Sequence, residues 1–213
     1  MERNKIYNLY LELLKKYGDP VKYWPQWCAK RKSLKLKEEI ALEAILVQRT
    51  SWRNAEIASK NLKKGNLLSI NALAKIDDFK KLVSLVKPAG FYNTKPRRLL
   101  GFSQFIQKDY GSWQNFCQED LETVREKLLS CYGIGPETAD TILLYATEKP
   151  TFVIDEYTKR FVKARNLANE FSYDFLKNFF EENLPKNVRL FQDFHALIII
   201  DQKGGKYSSM GMI

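Results

Sequence analysis

Apolar residues recur every three or four positions along nearly the whole chain, a period that predicts helix after helix. Between residues 4 and 17, Ile6, Leu9, Tyr10, Leu13, Leu14 and Tyr17 mark one apolar face, and Gly18-Asp19-Pro20 ends it. Tyr23-Trp24-Pro25-Gln26-Trp27 reads as an aromatic loop. Residues 37–49 read as a mostly buried helix, with Ile40, Ala41, Ala44, Ile45 and Val47 inward, and another helix spans 51–63. Further helices are predicted over 67–74, 78–86, 94–109, 112–117, 119–131, 136–147, 155–165, 172–183 and 187–200. Phe152-Val153-Ile154 has strand character, but no partner strand is evident. Many short helices joined by short turns predict an all-α fold of packed helices. No internal repeat or low-complexity linker interrupts it, and the tail from Gly204-Gly205 through Ser208-Ser209-Met210-Gly211 reads as frayed.

Composition narrows the class. The 213 residues suit one compact domain or two small lobes, and 45% hydrophobic residues argue against disorder. No apolar run approaches the roughly 18 residues of a membrane helix. Met1-Glu2-Arg3-Asn4-Lys5 leads into no signal-peptide core. The expected location is therefore cytoplasmic, nucleoid-associated in a bacterium. A formal net charge of +10 fits a polyanionic partner such as nucleic acid, or merely a basic surface. Cys28, Cys117 and Cys131 are odd in number and widely spaced, which matches neither a disulfide framework nor a Cys-x-x-Cys metal pair. His195 is the one histidine, which excludes a His-rich metal site. It reads as a structural or capping residue rather than a triad member.

The most specific segment runs from Leu128-Leu129-Ser130-Cys131-Tyr132-Gly133-Ile134-Gly135-Pro136-Glu137-Thr138-Ala139-Asp140 to Val153-Ile154-Asp155. A helix carrying Leu121, Val124, Leu128 and Leu129 ends at a Gly-x-Gly turn, where both glycines permit tight, positive-φ geometry. Pro136 suits the first position of the next helix, whose buried face is Ala139, Ile142, Leu143 and Ala146. Backbone N–H groups of such a hairpin, with the helix dipole behind them, form an anion site. Gly-x-Gly alone would be an ordinary helical hairpin. With its flanking residues and Asp155 downstream, it reads as a helix-hairpin-helix DNA clamp. Asp155, ahead of Glu156-Tyr157-Thr158, is a plain N-cap by position. It is also a lone carboxylate beside a phosphate site, and the two roles are compatible.

Three ordered blocks resemble the helix-hairpin-helix DNA glycosylase superfamily, the group that includes endonuclease III. They are Ile45-Leu46-Val47-Gln48-Arg49-Thr50, Gly90-Phe91-Tyr92-Asn93-Thr94-Lys95 and the segment just described. The resemblance covers roughly residues 34–206. It implies two helical lobes with a DNA-binding cleft between them: a six-helix bundle over 38–148, with the hairpin at about 121–147, and a second lobe of 1–37 plus 149–213. It implies base flipping and cleavage of an N-glycosidic bond in double-stranded DNA by a monomer. Asp155 matches the family's catalytic aspartate. Its carboxylate would stabilise the cation that develops on the sugar and position or deprotonate the attacking water.

Two departures sharpen the expectation. Bifunctional members keep a Schiff-base lysine eighteen residues before the aspartate, and that position here is Glu137. A carboxylate cannot form a Schiff base, so the resemblance implies a monofunctional glycosylase without AP lyase activity. Glu137 also reads as a first-turn acid that favours the helix dipole. No cysteine follows Cys131, so endonuclease III's C-terminal four-cysteine cluster cannot form. No cofactor is expected beyond a monovalent cation at the hairpin.

These departures resemble the 3-methyladenine subgroup, in which aromatic faces sandwich a positively charged alkylated base. The matching positions are Trp52 and either Tyr23 or Trp24; from the sequence alone, the tryptophans read equally well as core. Glu137 and Lys203 are further pocket candidates, and the subgroup's lysine is a modified one. Gln48 matches the residue that fills the gap left by the flipped base, with Phe91 or Tyr92 as a second wedge; it also reads as a polar helix terminus. Asn93, Lys95, Thr138 and the Gly133 and Gly135 amides are the expected DNA contacts, and Arg97 and Arg98 extend a basic cluster that also reads as a solvated face. Two other functions stay open: a related glycosylase for mismatched or oxidised bases, and a non-catalytic DNA-binding hairpin protein.

Overall fold

The computed structural model describes residues 2–205. Among these the fold is all-α, with twelve α-helices and no strand. In chain order they are α1 (Glu2–Tyr17), α2 (Leu34–Leu46), α3 (Trp52–Lys64), α4 (Ile70–Ala74), α5 (Phe79–Val86) and α6 (Lys95–Tyr110). Then follow α7 (Trp113–Gln118), α8 (Leu121–Ser130), α9 (Pro136–Thr141), α10 (Glu156–Ala164), α11 (Tyr173–Asn183) and α12 (Val188–Gln202). The expected tail lies outside the described residues from position 206 onward.

Short polar side chains set most helix starts. Ser33, Ser51, Ser69, Asp78, Ser112, Asp120, Asp155 and Asn187 each accept a hydrogen bond from a backbone N–H three residues on. Each satisfies a donor that the helix itself cannot, worth about 1 kcal/mol per cap.

The chain forms two compact units. One is Ser33–Ile142; the other joins the described residues up to Lys32 with those from Leu143 on. In the first, α4 packs along α6, and α3 packs on α5. Phe102, Trp113 and Phe116 are buried there, with Trp113 and Phe116 ring centroids 5.5 Å apart. Arg125 of α8 holds the fully buried Asp140 of α9 through Nε–Oδ1 at 2.8 Å and Nη2–Oδ2 at 3.3 Å. This two-pronged pair ties the helices of the hairpin together, and nothing in the local sequence pattern announced it.

In the other unit α12 packs between α1 and α10. Phe152 stacks on Phe180 at 4.2 Å and meets Phe191 and Phe194 edge-on. The buried run 151–154 lies outside any helix and pairs with no strand. Its backbone is served by a side chain instead: Phe152 N–H donates to Glu181 Oε1 at 2.8 Å, and Thr151 Oγ1 donates to the same oxygen at 3.1 Å.

The expected single helix over 136–147 is interrupted. α9 ends at Thr141, and Ile142–Ala146 form a π-helical turn. Such turns are uncommon and redirect side chains. This one carries Tyr145, which is 3% exposed.

Candidate active site and DNA-contact loops

Asp155 is the N-cap of α10. Its Oδ1 accepts the Thr158 N–H at 2.7 Å. Its Oδ2 lies 3.4 Å from His195 Nε2, ion-pair distance without hydrogen-bond alignment. Burial works to raise the Asp155 pKa, but His195 and the Thr158 amide outweigh it and hold the carboxyl below the ordinary value. The side chain keeps 13% exposure. The group is thus a fixed, ionised carboxylate with a narrow opening to solvent. Lys203 lies on the same unit, with Nζ 5.1 Å from the Tyr157 ring centroid. Burial lowers its pKa, and the charge of Asp155 partly offsets this.

The aromatic candidates near the start of the chain separate. Trp24 is 7% exposed and belongs to the core of its unit, as does Trp27 against Tyr145 at 5.3 Å. Tyr23 is half-buried, and its hydroxyl approaches the Tyr17 carbonyl at 3.4 Å. In the other unit Trp52 is half-buried at the first position of α3, and Glu137 is exposed in the first turn of α9.

The hairpin is built as expected at one glycine and not at the other. Gly133 has φ +78°, while Gly135 has φ −95° and ψ 179°, an extended conformation open to any residue. A Cβ on Gly133 would also sit 2.2 Å from Arg98 Nε. One on Gly135 would meet nothing within 4 Å. The fold itself requires Gly133; Gly135 leaves an exposed face of backbone open to an approaching group.

Gln48 is turned inward. Its Nε2 donates to Gly133 O at 3.0 Å and to Thr138 Oγ1 at 2.9 Å, and its Oε1 accepts from Arg98 Nη1. In this structure it braces the hairpin rather than projecting as a wedge. Thr138 is buried and engaged in the same brace, which corrects its expected place at a DNA phosphate.

Lys95 is a second correction. It is fully buried and reaches no surface phosphate. Its Nζ donates to Leu46 O at 2.6 Å and Ala89 O at 2.7 Å, with the Phe91 ring centroid 5.9 Å away. Leu46 ends α2, two residues before Gln48, and Ala89 precedes Gly90-Phe91-Tyr92. Lys95 therefore joins the roots of the two loops that carry the expected wedge residues. Burial, then repulsion from Arg98, brings its pKa down to about 8.

The loop tips themselves are strained or exposed. Arg49 and Phe91 have φ +49° and +46°, and Phe91 and Tyr92 are 52% and 49% exposed. A large aromatic in the left-handed region is a costly conformation. Asn93 is exposed beside them.

Comparison with known proteins decides the family. Residues 42–186 match the HhH-GPD superfamily of base excision DNA repair proteins. The chain belongs to the HhH-GPD superfamily. It is a DNA glycosylase of that group. MJ1434 of Methanocaldococcus jannaschii, a DNA repair glycosylase by name, is 41% identical over 205 residues, spanning 93% of this chain and 89% of that one. Among solved structures, the 3-methyladenine DNA glycosylase MagIII of H. pylori, bound to 1,N6-ethenoadenine, is similar at 32% identity. Its TM-score is 0.78, with 96% of this chain and 98% of that chain covered. A trapped endonuclease III–DNA covalent intermediate shares the fold at 14% identity, with TM-score 0.72 over 93% of this chain and 84% of the other.

Proposed function

We propose that this HhH-GPD glycosylase hydrolytically excises alkylated purines of the 3-methyladenine type and leaves the DNA strand intact. The observation that carries the reading is the held, ionised carboxylate of Asp155 at the start of α10. The similarity to MagIII over nearly the full length of both chains supports the lesion class.

In the proposed step the C1′–N bond breaks with its electron pair leaving on the base. An N3- or N7-alkylated purine is cationic, so it departs neutral and needs no proton from the protein. The positive charge that develops on the sugar is stabilised by the Asp155 carboxylate. Water adds to C1′, and its proton passes to Asp155 or to solvent. Weak general catalysis suffices because the leaving group is already activated. Trp52 supplies a half-buried aromatic face for a cationic base.

Glu137 supports the monofunctional half of the reading. An exposed carboxylate in the first turn of α9 has no amine with which to attack the sugar. The amides of Gly133 and Gly135, at the start of the same helix, are the proposed phosphate contacts. Asp155→Asn tests the reading. Loss of base release with retained binding to duplex DNA is the expected result, because asparagine still caps α10. Unchanged release would remove Asp155 from catalysis.

A further inference from the structure

Behind Asp155, His195 is itself backed by a buried polar chain. His195 of α12 is 5% exposed. Its Nδ1 lies 2.8 Å from the Tyr145 hydroxyl. That hydroxyl lies 3.1 Å from the Gln192 carbonyl, and Gln192 Nε2 donates to Leu144 O at 2.7 Å. Tyr145 and Leu144 sit on the π-helical turn, which aims the phenol at the imidazole. The edge of Phe152 closes another side of the ring at 6.4 Å.

The proton count of this chain is restrictive. Tyr145 has one hydroxyl proton and two neighbours. Burial holds its pKa well above the ordinary value, so the phenol stays neutral. If it donates to Nδ1, a neutral imidazole carries its own proton on Nε2. If it donates to the Gln192 carbonyl, which can only accept, Nδ1 must donate to the phenol. Nε2 then faces Asp155 either with a proton, as imidazolium, or as a bare lone pair. A buried lone pair 3.4 Å from a carboxylate oxygen is repulsive and leaves Nε2 without a partner. Both arrangements that avoid this place a proton on Nε2.

We propose that His195 is the positioning residue of Asp155: Tyr145 and the π-helical turn orient its ring so that Nε2–H faces Oδ2 while the Thr158 amide holds Oδ1. Oδ1 is then held by the Thr158 N–H, and Oδ2 has the Nε2–H beside it at 3.4 Å, short of hydrogen-bond alignment. The inference rests on the reading of Asp155 as the catalytic carboxylate and adds what keeps it ionised and aimed. The 3.4 Å separation leaves slack for this contact to shorten when a cationic sugar fixes the carboxylate. The other charged or titratable groups acting on the cluster are Lys203 at Asp155, and Asp193, Arg189 and the neutral Cys28 thiol on the Tyr145 side.

Two measurements test the inference. His195 is the only histidine of the chain, so its ¹⁵N imidazole signals need no assignment. In the intact protein, Nε2 is expected to be protonated at neutral pH. A neutral ring with its proton on Nδ1 alone would overturn the proposal, whatever the enzyme's substrate. The second measurement is the pH profile of base release from methylated duplex DNA by His195→Phe and His195→Gln.

With His195→Phe, kcat should fall on the order of 10- to 100-fold, as for outer-shell partners of metal-binding side chains, with KM little changed. Its acid limb should move to higher pH, because burial of Asp155 is then unopposed by His195. His195→Gln can place an amide donor near the Nε2 position and should recover much of the rate. Wild-type kinetics in both variants, with an unmoved acid limb, would overturn the proposal. Should wild type release nothing from methylated DNA, the substrate reading fails, and the ¹⁵N measurement alone decides the role of His195.

Discussion

Arg98 lies across Gly133 so closely that any side chain at Gly133 would displace it: a Cβ there would sit 2.2 to 2.8 Å from three Arg98 side-chain atoms. The same arginine holds Gln48, and Gln48 holds Gly133 and Thr138. The turn of the hairpin is therefore shaped from behind by a brace on the first loop of its own unit.

Gly133→Ala and Gly135→Ala should separate folding from binding. At Gly133 the positive φ and the Arg98 contact together should cost about 1–3 kcal/mol of stability. At Gly135 the extended backbone and open space predict an unchanged Tm. There the added methyl should instead weaken duplex binding, because it stands where the backbone would meet phosphate. Thermal denaturation and fluorescence anisotropy on the two variants check this.

Lys95 predicts an unusual pH dependence of stability. Its folded pKa of about 8 lies below the ordinary lysine value of 10.5. Between those values the unfolded chain binds a proton that the folded chain has released, so stability rises with pH. The penalty is complete below about pH 8 and disappears as pH passes the unfolded value. The whole effect is at most about 3 kcal/mol, an upper bound because the Leu46 and Ala89 carbonyls favour the ammonium form. Denaturant melts should show wild type gaining stability relative to Lys95→Met as pH rises through this window. A constant difference from pH 7.5 to 10.5 would contradict the assignment.

Glu137 predicts no covalent trapping. Borohydride added during turnover on methylated DNA should yield no enzyme–DNA adduct, and the product strand should stay uncut until treated with alkali. A trapped adduct would show that another amine of the chain attacks the sugar.

Trp24 and Trp52 should respond differently to alanine. Trp24 is core, and its removal should cost about 3–5 kcal/mol. Trp52→Ala, at a half-buried helix start, should leave the Tm within a few degrees and raise KM for alkylated DNA. Calorimetry beside steady-state base release distinguishes the two.

Much of this was legible along the chain. Helix starts follow Ser, Asp and Asn at capping positions, and the apolar period between them is regular, so the elements emerge within a few residues. Asp155 and the hairpin were visible because their chemistry is local: a turn glycine, a first-turn proline and a cap. Lys95 was misread because a lysine next to Arg97 and Arg98 resembles a solvated cation. Its burial depends on two carbonyls from segments distant in sequence. Gln48 and Thr138 were misplaced for the same reason, since only the folded unit brings them onto each other. His195 read as structural because its contact with Tyr145 requires the π-helical turn, and no helical periodicity reveals a change of winding.

The central claim is tested most directly by chromatography of the bases released from a panel of duplexes: methylated DNA, uracil and mismatched thymine, and 8-oxoguanine. Release of 3-methyladenine from the methylated duplex, abolished by Asp155→Asn, is the predicted result. Release of uracil, thymine or 8-oxoguanine without 3-methyladenine would contradict it.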